Sequence, residues 1–328
     1  MFEKITYLRK VYEMFSLFKA TLSPMLVMFL CIVFGFLLNK KKLMPQNSAN
    51  VLSKLENYVI CPCLIINNFM TYCTIESLVK YYNIIIYSVI ACLVAIFIAI
   101  FLSKFFVKEG YGRNIYKYAL TFANFGFMGN AIVPQILGEE ILYNYLLFTL
   151  PLNIAVYSWG VTNLIIRKDE NEKVNPLKNL INPIFFSILI GMLIGIFNLK
   201  PYIPYFITST ISGFAVCMGP IAMFLTGFVI GNFELVNIFK DKKVYIGTIL
   251  RLFVLPTFLI VLLKVLGADT LILKLCLFAY ATPFGLNTVI FPAAYGGDTT
   301  TGASMAMISH TLSVITIPIM YSLLSIII

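Results

Sequence analysis

The sequence is short of charge. Only 12% of its 328 residues are Asp, Glu, Lys or Arg, and 60% are apolar. An ordinary soluble domain carries roughly 25% charged residues. Too little polar surface remains for a water-soluble fold, which excludes a soluble enzyme. There is one histidine, too few for a zinc or di-iron centre built on the usual ligand sets. No Cys-x-x-Cys pair occurs. Cys31, Cys61, Cys63, Cys73, Cys92, Cys217 and Cys276 lie in or beside apolar runs and read as small buried apolar side chains. No Gly-x-x-x-x-Gly-Lys-Ser/Thr loop is present to hold ATP, so any uphill work must draw on gradients. No cofactor and no metal are expected.

What the chain does have is apolar length. Ten runs cover residues 21–38, 49–70, 82–103, 115–137, 141–166, 181–197, 204–230, 244–266, 271–295 and 304–328. About 20 apolar residues cross a hydrocarbon core of about 30 Å. The runs are continuous, whereas membrane barrel strands alternate apolar and polar residues. The expected fold class is an all-α polytopic membrane protein of ten transmembrane helices. The net charge of +10 then reflects cationic loops and not nucleic acid.

The loops after runs 1, 3, 5 and 7 hold Lys40–Lys42, then Lys104, Lys108, Arg113 and Lys117, then Arg167, Lys168, Lys173 and Lys178, then Lys240, Lys242 and Lys243. The alternate loops have only Lys80, Lys200, Lys264 and Lys274. The positive-inside rule makes the first set cytoplasmic and puts both termini outside. Residues 1–20 place Ile5, Leu8, Tyr12, Phe15 and Phe18 at near-helical spacing between charges, as in an amphipathic interfacial helix.

Aligning Pro24 with Pro183 also aligns Asn39 with Asn198, Pro45 with Pro204, Phe125-Gly126 with Phe284-Gly285, and Gly138 with Gly297. The chain therefore divides into a first five-helix repeat at 21–166, a cytoplasmic loop at 167–180 and a second five-helix repeat at 181–328. Five is odd, so the two repeats are inverted. Such folds bind substrate at the midplane, at interrupted helices in matching positions. Runs 4 and 9 are that pair. The first holds Asn124, Gly126, Gly129 and Pro134; the second holds Pro283, Gly285, Asn287 and Pro292. Proline removes a helix hydrogen bond, and glycine permits non-helical backbone. The freed amides and half-helix N-termini offer partial positive charge to an anion.

At these residues the chain resembles the auxin efflux carrier family, which includes plant auxin carriers and bacterial permeases for malate and other organic acids. The motif Phe-x-Asn-x-Gly-x-x-Gly stands as Phe122, Asn124, Gly126 and Gly129. Gly219, Pro220, Ala222, Met223 and Gly227 carry the run 7 pattern. Pro283, Asn287, Tyr295, Gly296 and Asp298 carry that of run 9, and Ser313, Thr316 and Pro318 close the chain. The resemblance implies a scaffold of spans 1, 2, 6 and 7, and a transport domain of spans 3–5 and 8–10 in which spans 4 and 9 cross at the substrate. It also allows a homodimer through the scaffold. Ala131 stands where the family often has proline, and Pro134 follows, so the break in span 4 is expected nearer the outer end. His310 stands where the family usually has threonine.

The expected function is a secondary carrier of small organic anions such as malate, working by alternating access. Asn124, Gly126, Gly129, Asn287 and Asn153 are its candidate substrate residues; Pro134, Pro283, Gly285 and Pro292 are its candidate break residues. His310 is a candidate for proton coupling, because histidine titrates near neutral pH. Glu56 and Arg251 lie near run ends, where they are expected to snorkel. Trp159 reads as an interfacial anchor. No aspartate pair lies within runs 4 and 9, which argues against cation–proton exchange. An intramembrane enzyme is disfavoured, because the adjacent Ser309 and His310 point to different helix faces. A membrane sensor that binds a small anion without net transport is the alternative.

Overall fold

The computed structural model describes residues 2–45, 47–165, 181–234 and 241–327, with side chains from Val11 onward except at 294, 295, 326 and 327. The loop expected at 167–180, Lys240 and the side chain of Tyr295 therefore lie outside the described residues, as do the side chains of Ile5 and Leu8. Among the described residues the chain is helical, and its only β-pairing is a single isolated bridge.

Twelve helical segments follow in order. They are α1 (Phe2–Lys40), α2 (Ser48–Tyr72), α3 (Ile75–Phe106), α4 (Tyr111–Thr121), α5 (Phe125–Leu137) and α6 (Glu139–Leu164). Then come α7 (Pro183–Ile196), α8 (Tyr205–Gly231), α9 (Lys242–Val265), α10 (Thr270–Tyr280), α11 (Asn287–Tyr295) and α12 (Thr300–Ile327). Among the described residues seven helices are long and apolar enough to cross a membrane; α5, α7 and α10 are shorter apolar helices. The chain is thus an integral, multi-pass membrane protein. α1 continues without interruption from the segment expected to lie in the interface into the first apolar run.

Local sequence sets where the helices start. Thr74 and Ser77 form a reciprocal capping box at the head of α3. Asn182 accepts from the amides of Ile184 and Phe185 and is followed by Pro183 at the first helical position of α7. Asp241 and Asp269 cap α9 and α10 in the same way. Gly138 and Gly296, with φ of +99° and +76°, end α5 and α11, where a side chain would be strained.

Polar contacts sort the loops into two faces. Asn39 Nδ2 donates to Asn232 Oδ1 at 2.8 Å, Lys40 Nζ to the Phe233 carbonyl at 2.8 Å and Lys243 Nζ to the Phe106 carbonyl at 2.6 Å. These bring the lysine-bearing loops after α1, α3 and α8 together. On the opposite face Lys200 Nζ donates to Thr71 Oγ1 at 3.0 Å, and Tyr87 to the Leu266 carbonyl at 3.0 Å.

Lipid-facing helices gain little from burial against each other, so close packing needs small residues. α1 and α8 meet at Gly35, Gly227 and Gly231. A Cβ at Gly227 would overlap the Ile32 carbonyl, and one at Gly231 would lie 2.7 Å from Asn39 Cβ. α2 and α7 meet at Gly191 and Gly195, where a Cβ at Gly191 would lie 2.7 Å from Phe69 Cβ.

Gly227→Ala is expected to destabilise the protein by about 1–3 kcal/mol through overpacking. Gly213→Ala, with open space around it, should be neutral or stabilising by up to about 1 kcal/mol. Thermal unfolding in detergent compares the two; equal midpoints would refute the backbone contact between α1 and α8.

Candidate functional site

α4 and α10 each stop at a short gap within an apolar run, and α5 and α11 restart a few residues later. The two gaps cross. Ala123 and Phe284 pair as an isolated antiparallel bridge. The Asn124 amide donates to the Pro283 carbonyl at 2.7 Å. A Cβ at Gly285 would stand 3.2 Å from the Ala123 carbonyl, so the second gap passes close to the first. Each break thus satisfies backbone groups freed by the other, as unwound chain at membrane depth requires. The Phe284 amide donates to Ser309 Oγ at 3.1 Å. The Tyr145 hydroxyl faces the carbonyls of Phe125 and Phe278 at 3.0 and 3.4 Å.

Crossing also separates charge. The C-termini of α4 and α10 converge on Arg251, which is fully buried. Its Nη1 donates to the Leu120 carbonyl at 2.9 Å and reaches the Thr121 carbonyl at 3.4 Å. The guanidinium lies 5.7 Å from the centre of the Tyr280 ring, at the end of α10. A helix end carries about half an elementary charge, so one arginine offsets two C-termini. Among the described residues no Asp or Glu lines the cavity that the two N-termini face. Phe125, Gly126 and Phe127 of α5, with Gly285, Leu286 and Asn287 at the head of α11, border one cavity of about 60 Å³. That is room for a few waters. Tyr118, Asn124, Asn130, Thr149, Asn153 and Tyr157 give it a polar lining. Two uncompensated helix N-termini around a polar cavity favour an anion.

Asn124, Gly126, Asn153 and Asn287, singled out from sequence, all line this cavity. Asn124 Nδ2 lies 2.9 Å from His310 Nε2, and His310 Nδ1 lies 2.7 Å from the Ala306 carbonyl. A carbonyl only accepts, so Nδ1 carries the hydrogen and Nε2 accepts from Asn124. Asn287 Nδ2 donates to the Tyr118 hydroxyl at 2.8 Å, and Asn153 Nδ2 to the Thr149 carbonyl at 3.1 Å. Gly126 has open space where a Cβ would stand. Gly129 does not border the cavity; a Cβ there would overlap the Tyr145 hydroxyl, so its lack of a side chain lets α6 approach the break.

Several expectations need correction. Pro283 and Gly285 lie at a break, but Pro134 and Pro292 lie inside helices. The break in run 4 falls at residues 122–124, near the middle of the run, not toward Pro134. Pro292 withholds a donor from the Thr288 carbonyl, and Gly302 lets α12 close over that carbonyl instead. Glu56 and Arg251 do not snorkel; both are fully buried. Trp159 packs with its ring 6.0 Å from that of Phe122, beside the break. The sequence reading passed over Tyr118, Tyr145 and Asn130. The Asn130 Oδ1 is buried without a partner, and only its position next to Gly129 in the motif hinted at a role.

Two larger cavities flank the crossing. One of about 720 Å³ lies toward the face of Thr71, Glu139 and Lys200 and shares Asn130 and Met218 with the small cavity. Another of about 340 Å³ lies toward the lysine-bearing face, lined by Asn47, Asn50, Ser53, Asn232 and Thr299.

A multi-pass helical protein with a polar cavity between vestibules on opposite faces is organised for moving solutes. The chain belongs to the membrane transport protein family of auxin efflux carriers, whose model matches residues 20–177 and again 171–321. None of the curated proteins matches it.

Arg251→Met would leave the ends of α4 and α10 without positive charge and is expected to cost about 2 kcal/mol. Arg251→Lys should retain part of that. Thermal unfolding in detergent decides; a methionine variant as stable as the native protein would remove the arginine from this role.

Proposed function

We propose that the chain is a secondary carrier of small organic anions, with malate or another carboxylate as substrate. The observation that supports this reading is the convergence of the N-termini of α5 and α11 on one polar cavity, while Arg251 faces the C-terminal ends of the preceding α4 and α10. In this reading the membrane is crossed ten times, with α4–α5 and α10–α11 each forming one broken span. The two matched family segments correspond to two inverted five-helix repeats. The lysine-bearing face is cytoplasmic, the termini lie outside, and the membrane is the plasma membrane.

Asn124 and Asn287 hold polar groups of the substrate, while the amides at the heads of α5 and α11 face its carboxylate. His310 keeps the Asn124 amide in place. Proton coupling through His310 would require that amide to turn, since a protonated Nε2 must donate where it now accepts. The small cavity is the occluded site. It opens alternately toward the 720 Å³ vestibule, past Asn130 and Met218, and toward the 340 Å³ vestibule. Membrane potential suffices as a driving force for export, since one charge crossing 100 mV is worth about 2.3 kcal/mol.

Counterflow of labelled malate in proteoliposomes tests this. Asn124→Ala and Asn287→Ala should each lower it about tenfold or more, the worth of a hydrogen bond to a charged group. Gly126→Leu, which fills the cavity, should abolish it in folded protein. Absence of counterflow with malate and with a panel of other carboxylates would overturn the carrier reading.

A further inference from the structure

One carboxylate in the membrane has nothing to answer its charge. Glu56 is fully buried and opens the π turn Glu56–Ile60 of α2. Neither of its oxygens has a hydrogen-bond partner. α7 and α8 pack against this turn, and neither carries a lysine, arginine or histidine. Their one titratable group outside the cysteines is Tyr205, exposed at the head of α8. On α2 itself Lys54 and Tyr58 are exposed, and Cys61, Cys63 and Tyr72 are the other titratable side chains. An ionised carboxylate buried without a counter-charge costs several kcal/mol, a cost that binding a proton removes. A metal ion is not what the surroundings fit, since no cluster of three His, Cys, Asp or Glu occurs among the described residues.

The position matters as much as the burial. Ser53, one turn before Glu56, lines the 340 Å³ vestibule, while Asn57 and Cys61, just after it, line the small cavity at the crossing. Asn57 Nδ2 donates to the Ser53 carbonyl at 2.8 Å and lies 3.3 Å from Ser53 Oγ. Hydroxyl and amide thus form a polar link between vestibule and cavity on the turn of α2 that carries Glu56, whose own side chain lines neither. By contrast, His310 has both ring nitrogens engaged.

We propose that Glu56 is a proton-binding site that couples proton movement to anion movement; this rests on the carrier reading above. A proton from water in the vestibule reaches the carboxylate past Ser53 and Asn57 and converts it to the neutral acid. Negative charge beside the anion cavity is thereby removed. Anion and proton each raise the other's affinity by the same factor, on the order of tenfold. The proton returns to water when the anion leaves, so the two cross together, and a doubly charged carboxylate such as malate still carries one net negative charge for the membrane potential to drive.

Infrared difference spectra of the purified protein, taken between mildly acidic and alkaline pH, test the site directly. The carbonyl band of a protonated carboxyl should titrate in the native protein and be missing from Glu56→Gln. Identical spectra for the two would overturn the proposal, whether or not malate is carried. In proteoliposomes a pH gradient, acid on the vestibule side, should raise uptake of labelled malate on the order of tenfold. Glu56→Gln should lose that response and Glu56→Asp regain part of it. Native counterflow indifferent to the gradient would overturn the coupling and leave the carrier standing. No counterflow, with the carboxyl band present, would overturn coupling and carrier together and leave only the proton site.

Discussion

A peptide group in the middle of a membrane has no water to turn to, and the organisation around the crossing follows from that constraint. Two helices are interrupted there, and each interruption exposes amides and carbonyls. They are satisfied by one another, through the Ala123–Phe284 bridge and the bond from Asn124 to Pro283. Side chains from three further helices complete the set: Tyr145 from α6, Arg251 from α9 and Ser309 from α12. A polar centre is therefore held in an apolar protein by hydrogen bonds from its own backbone and side chains.

The result is an electrostatic division of labour. Negative helix ends are gathered on one side of the crossing and offset by a buried guanidinium. Positive helix ends are gathered on the other and left open to a cavity. A single arginine thereby leaves the opposite side of the crossing with a surplus of positive potential. The guanidinium is itself incompletely satisfied, since its Nε and Nη2 have no partners. Its position is set by the helix ends it faces, not by a carboxylate.

Much of this was legible in the chain, and the failures have physical causes. Clusters of glycine, proline and asparagine marked the two interrupted runs, and Asn124, Gly126, Asn153 and Asn287 do meet at one cavity. The prolines misled. Pro134 and Pro292 sit inside helices, where each removes one donor without ending the helix. Glu56 and Arg251 looked like residues at run ends, yet neighbouring helices bury them, and no periodicity within one run records what packs against it. The pairing of Asn124 with His310 spans 186 residues and follows from the fold alone. The π turns at Glu56–Ile60, Phe125–Gly129, Val156–Gly160 and Leu250–Val254 also leave no pattern, although three of them contain or adjoin Glu56, Asn124 and Arg251.

The glycine contacts have a mechanical corollary. Where Gly191 and Gly195 join α7 to α2, and Gly227 and Gly231 join α8 to α1, backbone lies directly against its neighbour. A sliding motion of even an ångström or two there would drive carbonyls and Cβ atoms into each other. Each pair, α7 with α2 and α8 with α1, is thereby interlocked. In the proposed carrier, a shear that exchanges the two vestibules would have to run elsewhere, along the polar and partly hollow boundary where Met218 and Asn130 line both cavities. In that proposal the cavity is more than a container, because it marks the slip plane along which one part of the molecule would pass the other.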